Sequence, residues 1–367
     1  MKNSFGSAIT VTLFGESHGD FVGATLDGIA PGIKVERETV EHELKKRRPS
    51  GRISTARVEA DEFIFASGVK DGKTTGTPLT VLIPNTNKRS GDYAALEFIP
   101  RPSHADYAAS CKYHGFEDRR GGGHFSGRIT SALVAVGAIL KSALSELGID
   151  IGTHISSLHG IRDRGFGEFC SDIAYLDGAQ FPTLSPEAGA AMIAEGTAAA
   201  ERGDSVGGVL ETAVIGVPSG IGEPWFDTVE GNLAHILFSI PAVKGVEFGR
   251  GFGITELYGS EANDHFYMEG DKVMTRTNNS GGINGGITNG MPIIFRTAVK
   301  PTPSIAMRQE SVDLVTGLGK ELVIGGRHDP MIVHRARAVV DAVTAIAIAD
   351  LLTIRFGTDV LREGFKK

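Results

Sequence analysis

Apolar residues recur at helical spacing in two long stretches. From Arg128 to Leu147, the residues Ile129, Leu133, Val136, Leu140 and Leu144 fall on one face and Gly148 follows at the stop position, which predicts a buried helix. From His334 to Ile354, Val339, Val343, Ile346 and Leu351 stand among many Ala, so the segment is apolar around most of its circumference and predicts a second buried helix. Thr39 to Arg48 predicts a surface helix, opened by Thr39 as cap and closed by Pro49, with Glu41/Lys45 and Glu43/Arg47 at i,i+4. Shorter helices are expected at Pro186 to Arg202, capped by Ser185, and at Val229 to Ser239, capped by Asp227 or Thr228.

Between the helices lie β-branched or apolar runs next to Gly or Pro: Val22 to Leu26, Phe63 to Ser67, Leu79 to Ile83, Val209 to Val217 and Ile293 to Val299. The N-terminal run MKNSFGSAITVTLFGESHG has a single Lys and is interrupted by Ser7, Thr10 and Thr12, so it reads as a first strand and not as a signal peptide. Strands in runs with isolated long helices make the fold class α+β. The segment VGATLDGIAPGI (22–33) is echoed by VGGVLETAVIGVPSGIG (206–222), and each precedes, after a polar Gly/Arg/His loop, one of the long helices. Residues 1–367 are therefore read as one domain with room for an internal duplication, since no linker or composition break divides them.

Composition narrows the function. The 37 Lys+Arg against 44 Asp+Glu give a net charge of -7, which argues against nucleic-acid binding, and any basic function must be local. Two Cys, Cys111 and Cys170, lack CxxC spacing, so neither a disulfide framework nor a zinc site is indicated, and the expected compartment is the cytoplasm. No apolar run outside amphipathic helices suggests a membrane span. The 49 Gly suit sharp turns and close approach of backbone to a ligand.

Four basic loops stand out in this acidic chain: KKRRPSGR (45–52) with Arg57 beyond it, RPSHADY (101–107), DRRGGGHFSGR (118–128) and GGRHDP (325–330). Each reads either as a solvated face or as a clamp for phosphate or carboxylate, whose geometry matches guanidinium forks. Two of the loops immediately precede a long buried helix, whose N-terminus favours anions, and together they suggest convergence on a polyanionic small molecule. NNSGGINGGITNG (278–290) adds backbone N–H groups for a ligand or is a plain loop. GESHG (15–19) matches the nucleophile elbow, but no helix start follows it, which disfavours Ser17 as a hydrolase nucleophile. His18 reads as a proton donor to an anionic leaving group or as a hydrogen-bonded turn residue. GRGFG (249–253) and GLGK (317–320) lack dinucleotide and P-loop spacing, and no metal-ligand pattern is present. Asp329 reads as an N-cap of the following helix or as a working carboxylate.

In their order and spacing GESHG, RPSHADY, GGGHFSGR and GGRHDP, together with RRPSGR, NNSGGINGGITNG and KPTPSI, resemble the chorismate synthase family, with the likeness running from about Thr10 to Leu351. The resemblance implies a β-α-β sandwich with internal duplication and long buried helices between antiparallel sheets. It implies a carbon-oxygen lyase that removes phosphate and a proton from 5-enolpyruvylshikimate-3-phosphate in aromatic amino acid biosynthesis, needs reduced FMN without net redox change, and forms a homotetramer. A non-catalytic flavin- or phosphometabolite-binding protein on the same fold is the alternative.

By the same resemblance His18 protonates the departing phosphate, His104 acts near the N1 side of the reduced flavin, and Asp329 helps take the proton through flavin N5. Arg47, Arg52 and Arg128 fall on positions that bind substrate or NADP anions. His124, Phe125, Ser126, Pro241, Ala242, Gly285, Lys300, Pro301, Thr302, Pro303, Ser304 and Arg327 fall on flavin-binding positions. NADPH enters only indirectly or through a separate flavin reductase. The chain departs from the common family residues at His124, Pro241, Met331 and Asp341, where Arg, Asn, a small residue or Cys, and Glu are frequent.

Overall fold

A computed structural model describes residues 2–49, 61–86, 98–325 and 329–365. Two five-stranded antiparallel sheets enclose two long helices. The first sheet runs, in spatial order, Ser4–Phe5, Thr10–Gly15, Phe21–Asp27, Leu79–Pro84 and Ile64–Ser67. The second runs Val243–Phe248, Ile293–Val299, Gly208–Ile215, Asp150–Leu158 and Ile161–Arg162. In Leu79–Pro84 and Ile293–Val299 every second residue is buried, as expected for a sheet with one face on a core. The helix Thr130–Glu146 packs on the first sheet and Val333–Phe356 on the second, and the two helices lie against each other. This is an α+β sandwich.

The two echoing segments occupy matching places, since Phe21–Asp27 and Gly208–Ile215 are each the central strand of their sheet. The central helices touch at Gly137, where an added Cβ would sit 2.5 Å from the Ala342 Cβ. The stretch from Gly127 to Glu146 is apolar and long enough to cross a bilayer, but it is mostly buried here as a core element. Near the end of the second helix, Asp350 accepts hydrogen bonds from the N–H groups of Ser7, Ala8 and Ile9 at 2.7–3.0 Å, fixing the chain's start to the core.

Several expectations shift. The first helix spans Arg37–Arg47 and follows Glu36, so Thr39 is not its cap. Glu43 does not pair with Arg47. It turns inward to Lys46 at 2.7 Å and Lys141 at 3.0 Å, because the central helix presents a buried ammonium there. The helices Pro186–Glu201 and Val229–Leu237 are capped by Ser185 and Thr228, whose hydroxyls accept from Ala188 and Gly231 N–H. The strand Asp150–Leu158 escaped the pattern because it buries polar side chains. Its Thr153 is bonded to Thr212 and Asp341, and its His154 to Asp163 and Glu211. Asp341, one of the departures, also pairs with Lys141, and Met331 lies in the core, so both belong to packing.

Burial pushes the Glu43 carboxyl up, but the charges of Lys141 and Lys46 prevail and hold it at about 2, below its ordinary 4.5. A group depressed on folding adds stability that is complete above the unfolded value and lost as pH falls toward the folded one. Glu43→Gln is therefore expected to unfold earlier in urea at neutral pH and to flatten the loss of stability between pH 4.5 and about 2. Denaturation midpoints measured across that window check this; parallel wild-type and variant curves would contradict it.

Candidate active site

The strand Thr10–Gly15 ends in a turn that carries Ser17 and His18 at the strand ends of the first sheet, and both are buried. Ser17 Oγ donates to the Arg120 carbonyl at 3.1 Å and lies 3.1 Å from His18 Nδ1, while Ser17 N–H donates to the Gly123 carbonyl. The chain goes directly into Phe21–Asp27 without a helix, so Ser17 is a support for His18 and has no elbow geometry.

Gly121, Gly122 and Gly123 all have positive φ, and this is where glycine is required. A Cβ on Gly121 would lie 2.2 Å from His18 Cε1, and one on Gly122 would lie 3.4 Å from His104 Cε1. Bare backbone thus wedges between two histidines from segments 86 residues apart in the sequence. His104 is held at Nδ1 by Asp106 at 2.6 Å, and its Nε2 has no hydrogen-bond partner among the described residues. His124 Nδ1 donates to the Gly15 carbonyl at 2.8 Å, tying the glycine loop to the strand before His18. Ser126 caps the turn at Gly127–Ile129 by accepting from Arg128 N–H, and Phe125 meets the ring of Tyr113 edge-on.

Behind the histidines runs a continuous polar chain. Asn85 Nδ2 donates to the carbonyls of Glu16 and Gly19, and Asn85 Oδ1 accepts from Arg128 Nε, each at 2.9 Å. Arg128 and Arg47 share the carboxylate of Asp61, which is 0% exposed. Arg47 also bonds Thr130 Oγ1 and the Gly127 carbonyl, and its own carbonyl accepts from Arg335 Nε at 2.8 Å. Arg335 in turn pairs with Asp329. Asp329 is consequently not the cap of the helix Val333–Phe356, whose preceding residue Ile332 has no side-chain cap; its carboxylate answers a guanidinium in the helix's first turn.

Of the residues expected from the resemblance at flavin positions beside the second sheet, Lys300 reaches the same place. Lys300 Nζ donates to the Ser103 carbonyl beside His104, and Lys300 N–H donates to the carbonyl of Ala242, the neighbour of Pro241. Burial and the charge of Lys244 lower the Lys300 ammonium from its ordinary value. The Thr302 carbonyl accepts from Ser205 Oγ, and Pro301, Pro303 and Ser304 follow the same loop. Gly285 lies apart, at the tip of the short hairpin Ile283–Asn284/Ile287–Thr288, whose Gly286 carbonyl accepts from Val229 N–H. Arg52, Arg57 and Arg327 lie outside the described residues. Sequence reasoning missed Asp61, Asn85 and Arg335; Asp106 and Arg101 stood in RPSHADY, which was read only as one of the basic loops.

Paired imidazoles on bare backbone, a cationic loop beside them and a carboxylate at the end of an ionic chain are the kinds of group an enzyme site for a small molecule brings together. The comparisons agree. The family model "Chorismate synthase" matches residues 9–353. The chain is similar to chorismate synthases of Dehalococcoides mccartyi (45% identity, 96% of each chain) and Thermococcus gammatolerans (45%, 95% of this chain and 97% of the relative). It is also similar to a crystal structure of chorismate synthase, with a TM-score of 0.77 and 30% identity over 96% of this chain and 94% of that one. The chain belongs to the chorismate synthase family, and its function is that family's, the catalytic formation of chorismate by a lyase. The non-catalytic reading is not favoured.

Proposed function

We propose that this chain releases phosphate from 5-enolpyruvylshikimate-3-phosphate by 1,4-elimination, with reduced FMN held beside the histidine pair. The C3–O bond breaks with its electron pair on phosphate, the C6 proton leaves, and the electrons of the C6–H bond complete the new diene, so no net redox change occurs. The observation that carries the reading is the Gly121–Gly122 backbone packed between His18 and His104, which places two proton-handling groups around one small space. His18, oriented by Ser17, donates its proton to the departing phosphate oxygen. His104 presents Nε2 on the other side of the glycines. Asp329 accepts the released proton at a carboxylate oxygen, and its pairing with Arg335 holds that carboxylate in place.

The residues fit a flavin. Thr302 Oγ1 is buried with no hydrogen-bond partner among the described residues, and Lys300 brings a cation to the same loop, so the loop holds donors for a polar, anionic ligand. When bound, reduced FMN supplies electron density that eases loss of the phosphate. His124, Phe125, Ser126, Pro241, Ala242, Gly285, Arg327 and the residues from Lys300 to Ser304 are the candidate flavin contacts. Arg52 is a candidate grip on substrate anions, while Arg47 and Arg128, locked to Asp61, shape the wall behind. NADPH acts through a separate reductase. The exposed Trp225, Phe226, Phe252, Tyr258 and Phe266 are the kind of apolar surface a homotetramer covers, and the expected location is the cytoplasm.

Oxidised FMN should bind more tightly in the presence of substrate, because the Gly-rich segments close over both. Fluorescence titrations with and without substrate check this; equal affinities would count against a shared site.

A further inference from the structure

His104 is held by an arrangement that needs more than its own ring. Its Nδ1 lies 2.6 Å from Asp106 Oδ1, and Asp106 is gripped by Arg101 through Nε to Oδ2 and Nη2 to Oδ1, each at 2.8 Å. The Arg101 backbone N–H adds a third bond to Oδ2 at 3.0 Å. Arg101 is itself only 8% exposed, so the guanidinium side of this fork is built into the protein. Asp106 opens the helix Asp106–Tyr113, yet its carboxylate faces back to the loop and caps no helical N–H. Helix initiation therefore does not account for it.

Arg101 Nη2 also stands 3.1 Å from His104 Nδ1. An ionised carboxylate can only accept and a guanidinium can only donate, so both groups compete for one ring nitrogen. Burial pushes the Asp106 carboxyl up, but hydrogen bonds from Arg101 and His104 hold it far below the ordinary carboxylate range. With an anion at 2.6 Å, the Nδ1 proton belongs to that contact, and Nε2 is left with its lone pair toward Gly122.

We infer that Asp106, braced by Arg101, is a positioning residue that fixes His104 as the Nδ1–H tautomer and aims Nε2 at the reacting molecules. The inference rests on the proposed role of His104 and adds what sets that role. Asp106 acts through the His104 ring.

The test compares Asp106→Asn with His104→Ala in the full-length protein, by steady-state turnover with reduced FMN and by 15N NMR of the histidines. An amide can donate to Nδ1 and so turns the ring to the opposite tautomer. Asp106→Asn should lower kcat by about 10²–10⁴-fold, the range such an exchange costs in a histidine-acid pair, with KM changed little. The His104 nitrogen shifts should report Nδ1–H in the unaltered protein and Nε2–H in Asp106→Asn. If His104→Ala is inactive while Asp106→Asn keeps kcat near wild type, the positioning role is wrong and the His104 reading survives. If His104→Ala itself turns over normally, both fall. Should Asp106→Asn fail to fold, the NMR of the unaltered protein decides: an Nε2–H tautomer at neutral pH overturns the inference.

Discussion

His18→Ala and His104→Ala are each expected to cut turnover by about 10²-fold or more with the fold intact, since the proposed function makes both rings proton-handling groups on polar turns. The structure adds a reason for the fold to survive. Neither ring carries a strand or helix: His18 is bonded to Ser17 and packed on Gly121, and His104 sits on a loop whose shape is kept by the Arg101–Asp106 fork. Circular dichroism and single-turnover rates of the same preparations give the answer. Both variants turning over near the wild-type rate would remove the acid–base assignment.

Asp61→Asn is expected to be the most damaging exchange to stability. Asp61 is buried with its two carboxylate oxygens on Arg47 and Arg128, so a neutral amide removes from two buried guanidinium groups the negative charge they share. Breaking a buried pair in this way costs about 3–5 kcal/mol, whereas Arg202→Ala, at an exposed ion pair with Glu195, should change stability by about 0.5 kcal/mol or less. Urea unfolding compares them. The loss should extend to activity, because Arg128 also holds Asn85 and through it the turn bearing His18. Wild-type unfolding for Asp61→Asn would mean that the arginines find their partners elsewhere.

These two results bear on different layers of what the sequence makes legible. The central helices and Ile293–Val299 were readable because their burial is one-sided or complete and leaves a periodic apolar signature. The echo of 22–33 in 206–222 was readable because the same central-strand environment in each sheet demands the same small and β-branched residues. Four basic loops stood out in the sequence, and the structure brings residues of three of them near the histidines. The reading of Arg47 as a partner of Glu43 took charges near in sequence to be near in space. Its actual counter-charge is Asp61, 14 residues on, which also serves Arg128 a further 67 residues away. No local pattern marks such a residue, since a lone Asp in a loop looks the same whether solvated or fully buried. Asp329 illustrates the same limit: the choice between cap and working carboxylate was settled against the cap by a guanidinium six residues along the helix.

The central claim is that the histidine pair, the glycine wedge between them and the loop at Lys300 form one site where phosphate is eliminated. The most direct measurement is an anaerobic assay of the purified protein with dithionite-reduced FMN and 5-enolpyruvylshikimate-3-phosphate, following chorismate and inorganic phosphate together. Equal amounts of the two products are predicted with reduced FMN, and neither with oxidised FMN. Phosphate release without chorismate, or no turnover with fully reduced flavin by a folded preparation, would contradict it.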